Sequence, residues 1–169
     1  MSIYALSDLH MCLSNPEKSM EVFGPSWGDY LQKAKENWES MVTDSDTVLI
    51  PGDISWATYI NKGEEDFRFI SELPGRKLMC RGNHDYWWTT MKKMEDFFAE
   101  KNLTNLEFVR TNIVEAEGCL ITGTRGWMIE TKDSLEDTEN RKIYDREKLR
   151  IKMCIEKKTK KKKTTKSQT

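Results

Sequence analysis

Apolar residues follow two different periods along this chain. Ile3 to Ser7 ("IYALS"), Thr47 to Pro51 ("TVLIP") and Lys77 to Cys80 ("KLMC") are short, nearly continuous apolar runs. Each ends at polar or turn-forming residues, the pattern of strands buried on both faces. Between them the period lengthens. Trp27, Tyr30, Leu31, Ala34, Trp38, Met41 and Val42 fall on one stripe, with Lys33, Lys35, Glu36 and Glu39 opposite, which predicts a helix over Trp27 to Val42. A second helix is predicted from Lys62 to Leu73, with Phe67 and Ile70 inward and Pro74-Gly75 closing it. A third runs from Met91 to Lys101, with Met91, Met94, Phe97 and Phe98 on its apolar side. "LEFV", "NIVE" and "CLIT" read as three strands in close succession, Gly123 to Gly126 as a turn, and Arg141 to Ile155 as a last helix. There is no internal repeat.

The order strand, loop, helix, repeated, is that of an α/β protein. In such sheets ligands sit outside the carboxyl ends of the strands. The residues there are Asp8 and His10 after the first strand, Gly52-Asp53 after the second, and Gly82-Asn83-His84-Asp85 after the third. If the strands are parallel neighbours, all of these lie along one edge. Carboxylate, amide oxygen and imidazole are the donors that hard and borderline divalent cations take, and Asp8, His10, Asp53 and Asn83 supply that mix. Asp8 and His10, two apart, share a face if strand geometry continues. A carboxylate such as Asp53 can bridge two cations about 3.5–4 Å apart, the spacing of two-metal hydrolysis. His84 is placed to protonate a leaving oxygen, with Asp85 holding its other nitrogen. Taken singly, each residue has a plain structural reading as a cap, a turn residue or a satisfied polar group. Arg125 in "GTRGW" suits bidentate contact with a phosphate or pairing with an acid such as Glu130. Tyr86, Trp87 and Trp88 either wall such a site or pack in the core. Trp56 is expected to pack.

Length and charge add bounds. The 169 residues suffice for one domain, read as 1–155, followed by a Lys/Thr-rich tail over 156–169. No apolar run approaches the roughly 20 residues that span a bilayer, and "MSIYALSDLH" has neither a basic n-region nor a long h-region. The expected location is therefore cytoplasmic. Cys12, Cys80, Cys119 and Cys154 form no CxxC pair and are expected to be buried, reduced thiols. The net charge of −1 hides an asymmetry, because seven lysines and no acid follow Glu156, which leaves the rest acidic. From Lys157 onward there is no apolar residue, so the tail is expected to be disordered. It is a solvated end or, alternatively, a weak contact for polyanions.

"SDLH", "PGDISW" and "RGNHDYWW" resemble the D-x-H, G-D and G-N-H-[DE] motifs of the calcineurin-like metallophosphoesterases, and "VLIPGDISWA" with "GTRGW" resembles a bacterial branch of predicted phosphohydrolases. The resemblance runs to about residue 150. It implies a β-sandwich flanked by helices, with a dinuclear centre of manganese, iron, zinc or nickel at strand ends. Asp8 and His10 would bind the first metal, Asp53 both, and Asn83 the second. His84 would be the general acid, oriented by Asp85. The family pattern continues with a histidine after a later strand and a G-H-x-H pair, whereas this chain has two histidines in all, His10 and His84. The expectation drawn is an incomplete domain, its carboxyl part replaced through a frameshift in an adenine-rich stretch. It would expose an apolar face and a sheet edge for a partner chain to cover. Three readings follow: a metal-dependent hydrolase of phosphate mono- or diesters, a non-catalytic remnant needing a partner's histidines, and a phosphate or nucleic-acid binder acting through the tail.

Overall fold

The computed structural model describes the backbone of residues 1–127 and 138–166, with side chains described for 1–127 and 139–156. The elements are β1 (Ile3–Ala5), α1 (Tyr30–Met41), β2 (Thr47–Ile50), α2 (Glu64–Glu72), β3 (Arg76–Met79), α3 (Met91–Glu100), β4 (Leu106–Phe108), β5 (Val114–Ala116), β6 (Cys119–Ile121) and α4 (Thr138–Lys166). Every strand and helix read from the apolar pattern is present, most of them a residue or a few shorter. By packing, the chain divides into two compact units, Met1–Phe108 and Val109–Thr169. The division falls inside the stretch read from sequence as one domain, at the strand that ends the parallel ladder. The architecture is mixed α/β, with a parallel sheet and an antiparallel pair flanked by helices, consistent with the α/β fold class expected.

The first unit is built on a four-stranded parallel sheet in the order β1-β2-β3-β4. β2 and β3 are central, and Val48, Ile50, Leu78 and Met79 are at most 1 % exposed, as apolar strands covered on both faces should be. α2 buries Phe67 and Ile70 fully, and α3 buries Met94 and Phe98. These side chains meet an aromatic core in which Phe67 packs edge-on to Trp87 with ring centroids 4.6 Å apart, and Trp88 lies 5.2 Å from Phe108. Trp87 and Trp88 are thus core residues, and only Tyr86 of that triplet is exposed. Lys77 is an exception in β3. It is fully buried, and its ammonium donates to the carbonyls of Leu73 and Ser71 at the end of α2, where a cation meets unpaired carbonyl groups. β1 is an outer strand of the sheet. Beside it, a groove of about 680 Å³ is lined by Tyr4, Leu6, Trp27, Tyr30, Trp38 and Met41, among others.

In the second unit β5 and β6 form an antiparallel hairpin, separate from the parallel sheet, with Val114 opposite Ile121 and Ala116 opposite Cys119. Glu117 and Gly118 make the turn, both at positive φ (49° and 71°), as a two-residue hairpin of primed type requires. Of the three strands read in succession, only the first therefore joins the parallel sheet. α4 buries Glu147, held by Arg150 at 2.5 Å and Arg146 at 3.5 Å. The helix runs to Lys166, past the Ile155 end expected from its apolar residues and into the segment whose composition predicts disorder. Lysine is a good helix former, so a helix begun upstream can propagate through it. Ser167–Thr169 lie outside the described residues. All four cysteines are free, but Cys119 is exposed rather than buried, because the short β6 leaves it on an uncovered face.

Candidate metal centre

Parallel pairing places the carboxyl ends of β1, β2 and β3 side by side, and the loops that leave them are laced together. Asp8 N donates to Gly52 O (3.1 Å), His10 N to Asp53 O (2.9 Å) and Met11 N to Ile54 O (2.9 Å). A parallel bridge at Met11 and Ser55 extends the β1–β2 pairing beyond the loops. Asp8, His10 and Asp53 adopt left-handed backbone conformations, with φ of 59°, 43° and 52°. Non-glycine residues are held there only when their surroundings over-determine them, and such strain gathers at functional sites. Two glycines allow the β2 and β3 loops to touch. Gly52 has φ 131°, and a Cβ on it would stand 2.4 Å from Gly82 N. A Cβ on Gly82 would stand 2.0 Å from Asp53 Oδ1.

The result is a cluster of donors. Ligand atoms of His10, Asp53 and His84 all lie within 4.8 Å of one another. Asp53 Oδ2 is 3.0 Å from His84 Nδ1 and 3.8 Å from His10 Nε2. Asp8 Oδ1 is 3.9 Å from His10 Nε2. His10 and Asp53 are buried, His84 is partly open, and the Asp8 side chain is mostly exposed. Burial pushes the Asp53 carboxyl up, but the His84 amide and ring, with the charge of His10, outweigh it and hold the group below the usual carboxylate range. Trp56 closes one side, its ring 4.7 Å from that of His10, stacked, and 5.0 Å from that of His84. Trp56 therefore packs, as expected, but against the two histidines. Asn83 lies at the same edge with its Nδ2 3.1 Å from His84 Nδ1.

Asp85 departs from its expected role. Among the described residues it makes no hydrogen bond to His84. It is fully buried and accepts from Gly82 N (2.7 Å), Asp53 N (2.9 Å), Ile54 N (2.8 Å), Ser55 N (3.4 Å) and Trp87 Nε1 (3.0 Å). Burial raises its pKa while those donors oppose the rise. Asp85 is thus the tie between the β2 and β3 loops, and Asp53 is what fixes the His84 ring. Sequence spacing favoured the neighbouring histidine because it cannot show a loop arriving from another strand. Arg125 belongs to the second unit, where its guanidinium lies 4.6 Å from the Trp127 ring centroid. Its alternative partner Glu130 lies outside the described residues.

Two imidazoles and a low-pKa carboxylate within 4.8 Å, with a further carboxylate beside them, are a donor set suited to a borderline divalent cation. His84, expected from the sequence to be the proton donor, stands within this set in space, with Asn83 Nδ2 beside its ring. The position of His84 next to Asn83 was the available signal. A family model for calcineurin-like phosphoesterases matches residues 1–163. The chain belongs to the calcineurin-like phosphoesterase family. No curated protein matches it. Among solved structures, this family member is similar to a protein of unknown function, AQ665, from Aquifex aeolicus, at 21 % identity and a TM-score of 0.47, over 88 % of this chain and 75 % of that one. Among the described residues no helix is long and apolar enough to cross a membrane.

Proposed function

We propose that this calcineurin-like phosphoesterase chain hydrolyses phosphate mono- or diesters with the help of bound divalent metal. The carrying observation is the convergence of His10, Asp53 and His84 at the carboxyl edge of the sheet. Asp8, His10, Asp53 and Asn83 are the residues that would hold the cation, with His84 beside them. A divalent cation there would offset phosphoryl charge and supply an acidified water as nucleophile. Asp53 does two things of its own. It keeps its charge through a depressed pKa, and it anchors His84 Nδ1 at 3.0 Å. His84, with its ring open to solvent on one side, then delivers a proton to the leaving oxygen. Trp56 screens the two rings from water on its side.

The test is hydrolysis of p-nitrophenyl phosphate and its bis ester by the purified chain with manganese, lost on Asp53→Asn. His84→Gln separates two roles: a proton donor loses turnover and keeps metal, whereas a ligand loses both. The content of two histidines favours a second reading, a non-catalytic chain that holds at most one cation. Metal analysis separates the two, with two tightly bound ions expected for the hydrolase and one or none for the alternative. The same proposal takes manganese as the metal, a cytoplasmic location, a partner chain over an exposed sheet edge and weak polyanion contact through the lysine-rich segment.

A further inference from the structure

Asp66 is a carboxylate that none of these roles uses, although it is only 1 % exposed. It stands in the first turn of α2. Its two oxygens reach different loops: Oδ1 accepts from Leu13 N at 2.8 Å, and Oδ2 accepts from the Ser55 hydroxyl at 2.5 Å. Ser55 Oγ in turn accepts from Ala57 N at 3.0 Å. Leu13 follows His10 on the loop after β1, and Ser55 follows Asp53 on the loop after β2. The carboxylate therefore ties together the two segments that carry buried donors, at the downstream end of the Met11–Ser55 bridge. Docking of α2 does not need this contact, because Phe67 and Ile70 already fix the helix in the core. A carboxyl group at such a position is costly to bury, and burial does raise its pKa against the pull of these donors. A neutral side chain would avoid that cost.

We propose that Asp66 is a positioning residue for the metal centre: it sets the spacing of the His10 and Asp53 loops, and through them the 3.8 Å between His10 Nε2 and Asp53 Oδ2. The inference rests on the metal reading above. Its test pairs cobalt(II) titration, followed by the d–d absorption bands, with hydrogen exchange on the metal-free full chain. Asp66→Ala is expected to weaken cobalt binding about 10- to 100-fold, as loss of an outer partner of a metal site does, and to shift the bands. Amide exchange in 8–13 and 53–57 is expected to rise at least about tenfold while Val48 and Leu78 stay as protected as before, since local opening reports on the loops alone. Asp66→Asn keeps an acceptor for Leu13 N and is expected to restore part of both. If Asp66→Ala does not fold, Ser55→Ala removes the Oδ2 arm together with the bond from Ala57 N, keeps the Leu13 arm, and is expected to loosen 53–57 while 8–13 stays protected. Unchanged loop exchange, or an equal rise in β2 and β3, overturns the proposal. A parent chain that binds no cobalt overturns the metal reading instead, and the exchange comparison tells that failure apart from a failure of the clamp.

Discussion

Gly82→Ala puts the geometry of the centre to its sharpest trial. The added Cβ would lie 2.0 Å from Asp53 Oδ1, 2.3 Å from Asp53 N and 2.8 Å from Asp53 Cγ. Ordinary contact begins near about 3.5 Å, so the β2 and β3 loops would have to part by more than about 1 Å. Asp85 Oδ2 accepts from both sides of that seam, from Gly82 N at 2.7 Å and from Asp53 N at 2.9 Å. Parting breaks one of these bonds or both. A hydrogen bond to a charged group contributes about 1.5–3 kcal/mol, so the expected loss is about 3–6 kcal/mol when both go. Gly82 does not have a left-handed φ, so the effect is steric. The assay is urea unfolding of parent and variant with chelator present, read from the midpoint at constant slope, together with cobalt binding. A loss below about 1 kcal/mol with unaltered cobalt binding would refute the claim that the two loops meet at this glycine.

Further outcomes follow from other residues. Asp85→Asn turns an acceptor toward its donors into a donor, and is expected to destabilise by about 2–4 kcal/mol in the same unfolding assay, since a buried partner is left unmatched. Lys77 has its pKa lowered by burial to about 8, from the 10.5 of a free lysine. Between those values the unfolded chain binds more protons, so Lys77 makes stability rise with pH across that window and contributes no slope below it. Lys77→Met should remove that component from unfolding measured at pH 7 to 10.5. A thiol reagent near neutral pH should label exposed Cys119 first, with Cys80 slow because burial pushes its thiol up to about 11. Peptide mapping after timed labelling checks the order.

Local pattern and tertiary structure contributed different things. Runs such as "TVLI" and "KLMC" read as buried strands because they are short, apolar and stopped by turn-forming residues such as Pro51-Gly52 and Gly82. The stripes of α2 and α3 likewise need no context. The candidate donors were legible for the same reason, since polar, turn-forming residues after each strand must gather at one edge once the strands are parallel. Which atom meets which was not legible. Asp85 sits beside His84 in sequence, but its carboxylate is taken by amides from the loop after β2, and the His84 ring goes to Asp53. Nothing in the sequence sets Asp66 apart from other acids, and only the fold brings Leu13 and Ser55 against it. The membership of β4 in one sheet and of β5 and β6 in another also escaped the pattern. Periodicity reports which face of an element is buried, whereas hydrogen-bond partners and strand neighbours depend on contacts between residues far apart in sequence, which only the folded chain decides.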